Sequence, residues 1–95
     1  MDIIFKIRDK SRRLIHLSKE RWNQHIRPLH PDIEDAEEMI KVLQNPDKIL
    51  SSDRDEFVKW YFLYNKKKKK YLKISVKYLN GDGYVITAHY TRKIW

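Results

Sequence analysis

The chain has 95 residues, room for one domain with an ordinary core but not for two, because each half would bury too little surface to fold without cross-links. Lysine and arginine number 21 against 13 aspartates and glutamates, a formal charge of +8, and this excess attracts polyanions, nucleic acid above all. With no cysteine, disulfides, thiolate catalysis and cysteine-based zinc sites are excluded, and no apolar run has the length of a membrane span.

Along the chain, Ile3, Phe5 and Ile7 alternate with Ile4, Lys6 and Arg8 until Asp9, Lys10 and Ser11 interrupt, and Arg12 to Leu17 resumes the extended pattern. A β-hairpin is expected there. The mixed charge of Met1 to Lys10 fits neither a signal peptide nor an anchor, so a cytoplasmic protein with no membrane partner is expected. Ser18 is placed to cap a helix in which Trp22, His25, Ile26 and Leu29 fall at i, i+3, i+4 and i+7 and share one face, with Pro28 and Pro31 bracketing its end. Asp32 caps a second helix, with Ile33, Ala36, Ile40 and Leu43 as its core stripe and Glu34, Asp35, Glu37 and Glu38 complementing the positive end of its dipole. Asn45-Pro46-Asp47 stops that helix, and Lys48 to Ser51 has the length of a short edge strand.

Phe57 to Tyr64 is almost continuously apolar, the pattern of a central strand covered on both faces. From Tyr71 to Leu79 the alternation is cleaner, with Leu72, Ile74, Val76 and Tyr78 on one side and Lys73, Ser75 and Lys77 on the other. Asn80-Gly81-Asp82-Gly83 is a strong turn signal, and Tyr84 to Arg92 returns as the partner strand, Ile86 and Ala88 facing the core and Thr87, His89 and Thr91 facing away. The expected architecture is therefore α+β over residues 1–95: a hairpin, two helices, then an antiparallel meander, in the order ββααβββ or with one further strand. The helices should cover one face of the sheet, leaving Lys73, Ser75, Lys77, Thr87, His89 and Thr91 on the other.

Several features of the sequence bear on chemistry. The run Lys66 to Lys70 reads as a hairpin tip, either merely solvated or a contact element for phosphates. His25, in a stripe with Trp22 and Ile26, reads as a buried or boundary histidine, and His30 as a capping or packing residue of the interhelix turn. His89 emerges beside Thr87 and Thr91 and across from Lys73 to Lys77, where an imidazole can take a proton from a ribose 2′-OH while a nearby cation stabilises the phosphorane. No metal or other cofactor is expected: His25 and His30 stand five apart with a proline between them, and no glycine-rich phosphate loop exists. Trp60, Tyr61, Phe62 and Tyr64 can stack unpaired bases, but such a run belongs more often to a core.

The order Trp22, His25, Ile26, then His30-Pro31-Asp32, then a helix closing in Asn45-Pro46-Asp47, and finally Val85-Ile86-Thr87-Ala88-His89-Tyr90 resembles the phage-associated branch of the barnase, EndoU, colicin and RelE-like ribonuclease superfamily, over roughly Leu17 to Lys93. The resemblance implies an α+β nuclease that cleaves RNA without a metal, through 2′-OH attack on the adjacent phosphate, often as a toxin or effector. It implies a site drawn from His25 and from Thr87, His89, Tyr90, Thr91 and Arg92. His25 or His89 would serve as base or acid, Arg92 and Arg27 as transition-state cations, and Thr87 and Tyr90 as positioning donors. Lys73, Lys77, Thr91 and Lys93 join Arg27 as RNA-binding candidates. A Thr-Ala-Tyr order would be more familiar than Thr87-Ala88-His89, with Tyr90 displaced by one, and a shift of one residue in a strand reverses its face. Two further readings stay open: an RNA-binding domain that cleaves nothing, and a toxin-like subunit held silent by an acidic, antitoxin-like partner protein.

Overall fold

In the computed structural model, which describes residues 3–94, the chain runs β1 (Ile3–Arg8), β2 (Leu14–Ser18), a π-helix (Arg21–Ile26), helix α1 (Glu37–Gln44), β3 (Lys48–Ser51), β4 (Val58–Asn65), β5 (Lys70–Leu79) and β6 (Asp82–Thr91). All the strands join one sheet in the order β1-β2-β6-β5-β4-β3. The hairpin β1–β2, the edge strand β3 and the long β4–β5–β6 ribbon form where the alternation and turn signals put them. Asn80 and Gly81 both take positive φ, 54° and 88°, as a tight two-residue hairpin turn requires.

The α+β expectation, two helices over an antiparallel meander, is overturned. Strand accounts for 47% of the residues and helix for 17%, and the sheet is mixed. β2 and β6 run parallel, paired at Ile15–Gly83 and His16–Tyr84.

What stood in the sequence as a first helix is a single widened turn. The Arg27 amide bonds back to the Trp22 carbonyl at 3.0 Å, an i→i+5 closure. Trp22 and Ile26 are buried as expected, but His25 is turned out to solvent and Leu29 is 70% exposed, so the four-residue stripe does not exist. Prolines at 28 and 31, which lack an amide donor, keep the segment in turns.

The second helix begins at Glu37 rather than near Ile33, for an equally local reason. The Glu38 carboxylate accepts from the amides of Glu34 and Asp35, while Asp35 accepts from the Glu38 amide. This reciprocal exchange is of the capping-box kind and fixes the first turn after Asp35.

One apolar cluster lies between the sheet and these short helices. It takes Leu72, Ile74, Val76 and Tyr78 from β5, Ile15 and Leu17 from β2, Trp22 and Ile26 from the π-helix, and Met39, Val42 and Leu43 from α1. Helix α1 packs on β4 and β5, and the π-helix on β2 and β6. β6 contributes Val85 and Ala88, three apart, because the pairing slips between Ser75–Thr87 and Val76–Val85 and leaves Ile86 as the extra residue of a bulge. Val85, not Ile86, is therefore the fully buried partner of Ala88.

Candidate nucleic-acid interface

The register of the long strands decides what the second face of the sheet carries. On β5 and β6, Lys77 pairs with Tyr84, Ser75 with Thr87, Lys73 with His89 and Tyr71 with Thr91. On β4 and β5, Trp60 pairs with Ser75, Phe62 with Lys73 and Tyr64 with Tyr71. Each of these alternates with a core residue, so all of them project to the side away from α1. His16 extends the face onto β2, its ring 6.3 Å from that of Tyr84. The result is a half-exposed surface of aromatic rings, hydroxyls, lysines and histidines. Asp55 lies beside it, 3.0 Å from the Lys77 ammonium. That contact holds Lys77 above its ordinary pKa, and Asp55, bonded by the Phe57 amide and by Lys77, below its own.

Near the end of β6 the face gathers proton-transfer groups. The His30 and His89 rings stand 5.6 Å apart, centroid to centroid, tilted by 32°. His30 reaches this point because its amide donates to the Ile26 carbonyl at 2.8 Å, closing the turn after the π-helix. Burial lowers the pKa of His89, and the positive charges of Lys73 and His30 push it the same way against a smaller opposing effect of Asp32. Lys73 is itself lowered by burial. Its ammonium lies 4.1 Å from the centre of the Trp60 ring and 5.9 Å from that of Phe62.

The residues expected to form the site are thus divided. Thr87, His89, Thr91, Lys73 and Lys77 share the second face. Tyr90 lies on the other side, where its hydroxyl donates to Glu38 of α1 and accepts from the Asn65 side-chain Nδ2 at 3.3 Å. Burial and the Glu38 carboxylate push the Tyr90 hydroxyl well above its usual pKa, as suits a donor kept neutral. His25 and Arg27 are exposed on the π-helix and just after it, with the Arg27 guanidinium 6.0 Å from the Trp22 ring. Arg92 and Lys93 are exposed past the end of β6. His30 had only a turn role in the sequence, and nothing in its spacing from His89 signals that the two rings meet.

The lysine tip is more ordered than a charged run suggests. Asn65 accepts from the amides of Lys67 and Lys68, and the Lys68 ammonium donates to the Asp32 carbonyl while lying 4.5 Å from the centre of the Tyr90 ring. Lys68 thereby ties the β4–β5 turn to the loop that carries His30.

A second polar cluster lies on the core side. Asp9, in the β1–β2 turn, is 5% exposed, and its carboxylate accepts from Ser11 at 2.7 Å, the Arg13 amide at 3.0 Å, Tyr61 at 2.6 Å and Tyr78 at 2.5 Å. The two tyrosine hydroxyls also approach each other, so two protons are shared among three contacts, and Arg13 lies 3.7 Å from the centre of the Tyr78 ring. Burial pushes the Asp9 carboxyl up, but the bonds from Tyr61, Tyr78, Ser11 and Arg13 together outweigh it and hold its pKa low. Tyr61 is pushed up to about 12, first by burial and then by Asp9. Tyr78 is raised for the same reasons. Every ligand of this carboxylate is internal, so it serves the fold.

Among the described residues no three His, Asp or Glu side chains cluster as the ligands of one metal ion would, and no helix is long and apolar enough to cross a membrane. Comparison with family models, curated proteins and solved structures finds no match to any of them.

Proposed function

We propose that this chain is a cytoplasmic ribonuclease that receives RNA on the second face of its sheet and cleaves it with His30 and His89 as the proton-transfer pair. The observation that carries this reading is the 5.6 Å approach of the two imidazoles beside Lys73. Transfer at a phosphodiester needs two proton movements. One group takes the proton of the 2′-OH as that oxygen bonds to phosphorus, and another protonates the departing 5′ oxygen, leaving a 2′,3′-cyclic phosphate.

The lowered pKa of His89 favours its neutral form near pH 7 and suits it to the first role, with His30 in the second. The Lys73 ammonium, on the strand beside His89, can offset the charge that grows on the phosphoryl oxygens, and Thr87 can donate to the same group. The likeness in motif order to metal-independent ribonucleases supports the same chemistry, with His30 in the part that His25 was expected to play. Tyr90, on the far side of the sheet, drops out of it.

The test is digestion of total RNA in excess EDTA by the full chain and by His30→Ala and His89→Ala. Cleavage that survives chelation and falls by roughly 100-fold or more in each variant is the expected result. RNA that stays intact, yet is retarded on gels in a salt-dependent way, would refute cleavage and leave an RNA-binding domain in its place.

A further inference from the structure

We infer that the open groove beside Trp60, lined by the end of β3 and the loop that follows it, is a stacking subsite for an unpaired nucleobase, which makes single-stranded RNA the substrate. The inference rests on the RNA reading above, but its observations are separate from the histidine pair. In the run Trp60 to Tyr64, Tyr61 and Phe62 are each 1% exposed, Tyr61 in the core and Phe62 covered on the second face, whereas Tyr64 is 42% exposed and Trp60 is half-buried. Trp60 pairs directly with Leu50 of β3. Together with Ser51, Asp53 and Arg54 these two line a cavity of about 540 Å³, within the roughly 300–1,000 Å³ of small-ligand sites.

The lining has the composition a base requires. Trp60 offers a ring for stacking and Leu50 an apolar wall. Ser51 and Asp53 can meet the polar edge of the base, and Arg54 its flanking phosphate. An aromatic ring needs no particular base opposite it, so stacking tolerates sequence but demands an unpaired partner.

Lys73 links this subsite to the reacting groups. It lies over the Trp60 ring and pairs in register with His89. With neighbouring strands about 4.8 Å apart and a rise of about 3.4 Å per residue, the backbones at Trp60 and His89 are separated by roughly 12 Å. A strand stacked on Trp60 therefore brings a phosphate a few nucleotides away to His30 and His89, while Lys73 lies between. A duplex, whose bases are already stacked and paired, cannot use the groove.

The experiment uses the full chain and an oligoribonucleotide with 2′-O-methyl groups throughout, which cannot undergo 2′-OH attack, so binding is read apart from cleavage. The same oligonucleotide annealed to its complement is the duplex probe. Single strand should quench indole emission in the wild type, and Trp60→Ala should weaken single-strand binding roughly 5- to 150-fold while leaving duplex binding unchanged. Trp60→Phe should recover most of the affinity, and it keeps the test open if the alanine variant folds poorly.

Equal single-strand affinity in wild type and Trp60→Ala, or an equal loss for both probes in folded protein, would overturn the subsite. Cleavage with an indifferent Trp60 would end this inference and leave the ribonuclease standing. Selective binding lost in Trp60→Ala but without cleavage would do the reverse.

Discussion

Replacing Asp9 by alanine tests the polar cluster under the sheet, and its magnitude can be worked from the bonds that remain. Ser11 and the Arg13 amide lie next to the surface turn and can turn to water. Tyr61 and Tyr78 cannot, since they are 1% and 5% exposed. Their mutual bond satisfies one hydroxyl proton and strands the other, at about 1–3 kcal/mol, and the lost bonds to a charged acceptor raise the total to about 2–4 kcal/mol. For a domain with roughly 5–15 kcal/mol of stability this lowers Tm by about 8–32 °C, at about 4–8 °C per kcal/mol.

Urea melts followed by circular dichroism should show the loss as a lower midpoint with an unchanged slope. Its pH dependence has a definite sign. The folded pKa of Asp9 is depressed, so its contribution is complete above the unfolded carboxyl value of about 3.9 and disappears as pH falls through the folded value. The gap between wild type and Asp9→Asn should therefore narrow below about pH 4. A gap that is the same at pH 7 and at the acid end, or an alanine variant within about 0.5 kcal/mol of wild type, would show that the cluster does not stabilise the fold as described.

Two further outcomes follow from single side chains. A Cβ on Gly83 would lie 2.8 Å from the Tyr78 ring and 2.9 Å from Val76, so Gly83→Ala should destabilise by about 1–3 kcal/mol in the same melts, and a neutral result would mean that the Tyr78 ring is free to move. His89 should titrate by NMR below 6.5, its ordinary value, and move part of the way back in Lys73→Gln, since burial remains when the charge is removed. Because the unfolded imidazole binds its proton first, stability should fall as pH drops from about 6.5 through the folded value, and His89→Gln should remove that loss.

The strands were legible because they rest on alternation and on turn residues that act locally. Asn80-Gly81 takes the only kind of turn two residues at positive φ can make, and Lys48 to Ser51 forms the edge strand its length suggested. The helices were not, because periodicity alone cannot register how a turn closes. Trp22 and Ile26 obey the apolar spacing, yet one i→i+5 bond rotates His25 out of their stripe. The approach of His30 to His89 was invisible for a related reason. It depends on a loop held by Lys68, through the Asp32 carbonyl, and on a parallel pairing of β2 with β6 that local pattern does not encode.

The bulge at Ile86 carries the most consequence for the site. Strict alternation from Val85 would send Thr87, His89 and Thr91 into the core and bring Ala88 and Tyr90 to the basic face. The extra residue reverses this for everything beyond it, so Val85 and Ala88 are both buried, His89 comes out beside Lys73, and Tyr90 turns inward to Glu38. Reading the strand as Ile86 and Ala88 inward gave the right face for His89, but with Ile86 in the place of Val85. The choice between His89 and Tyr90 is thus made by one unpaired residue, and the same slip that places an imidazole on the open face supplies α1 with the hydroxyl that Glu38 holds.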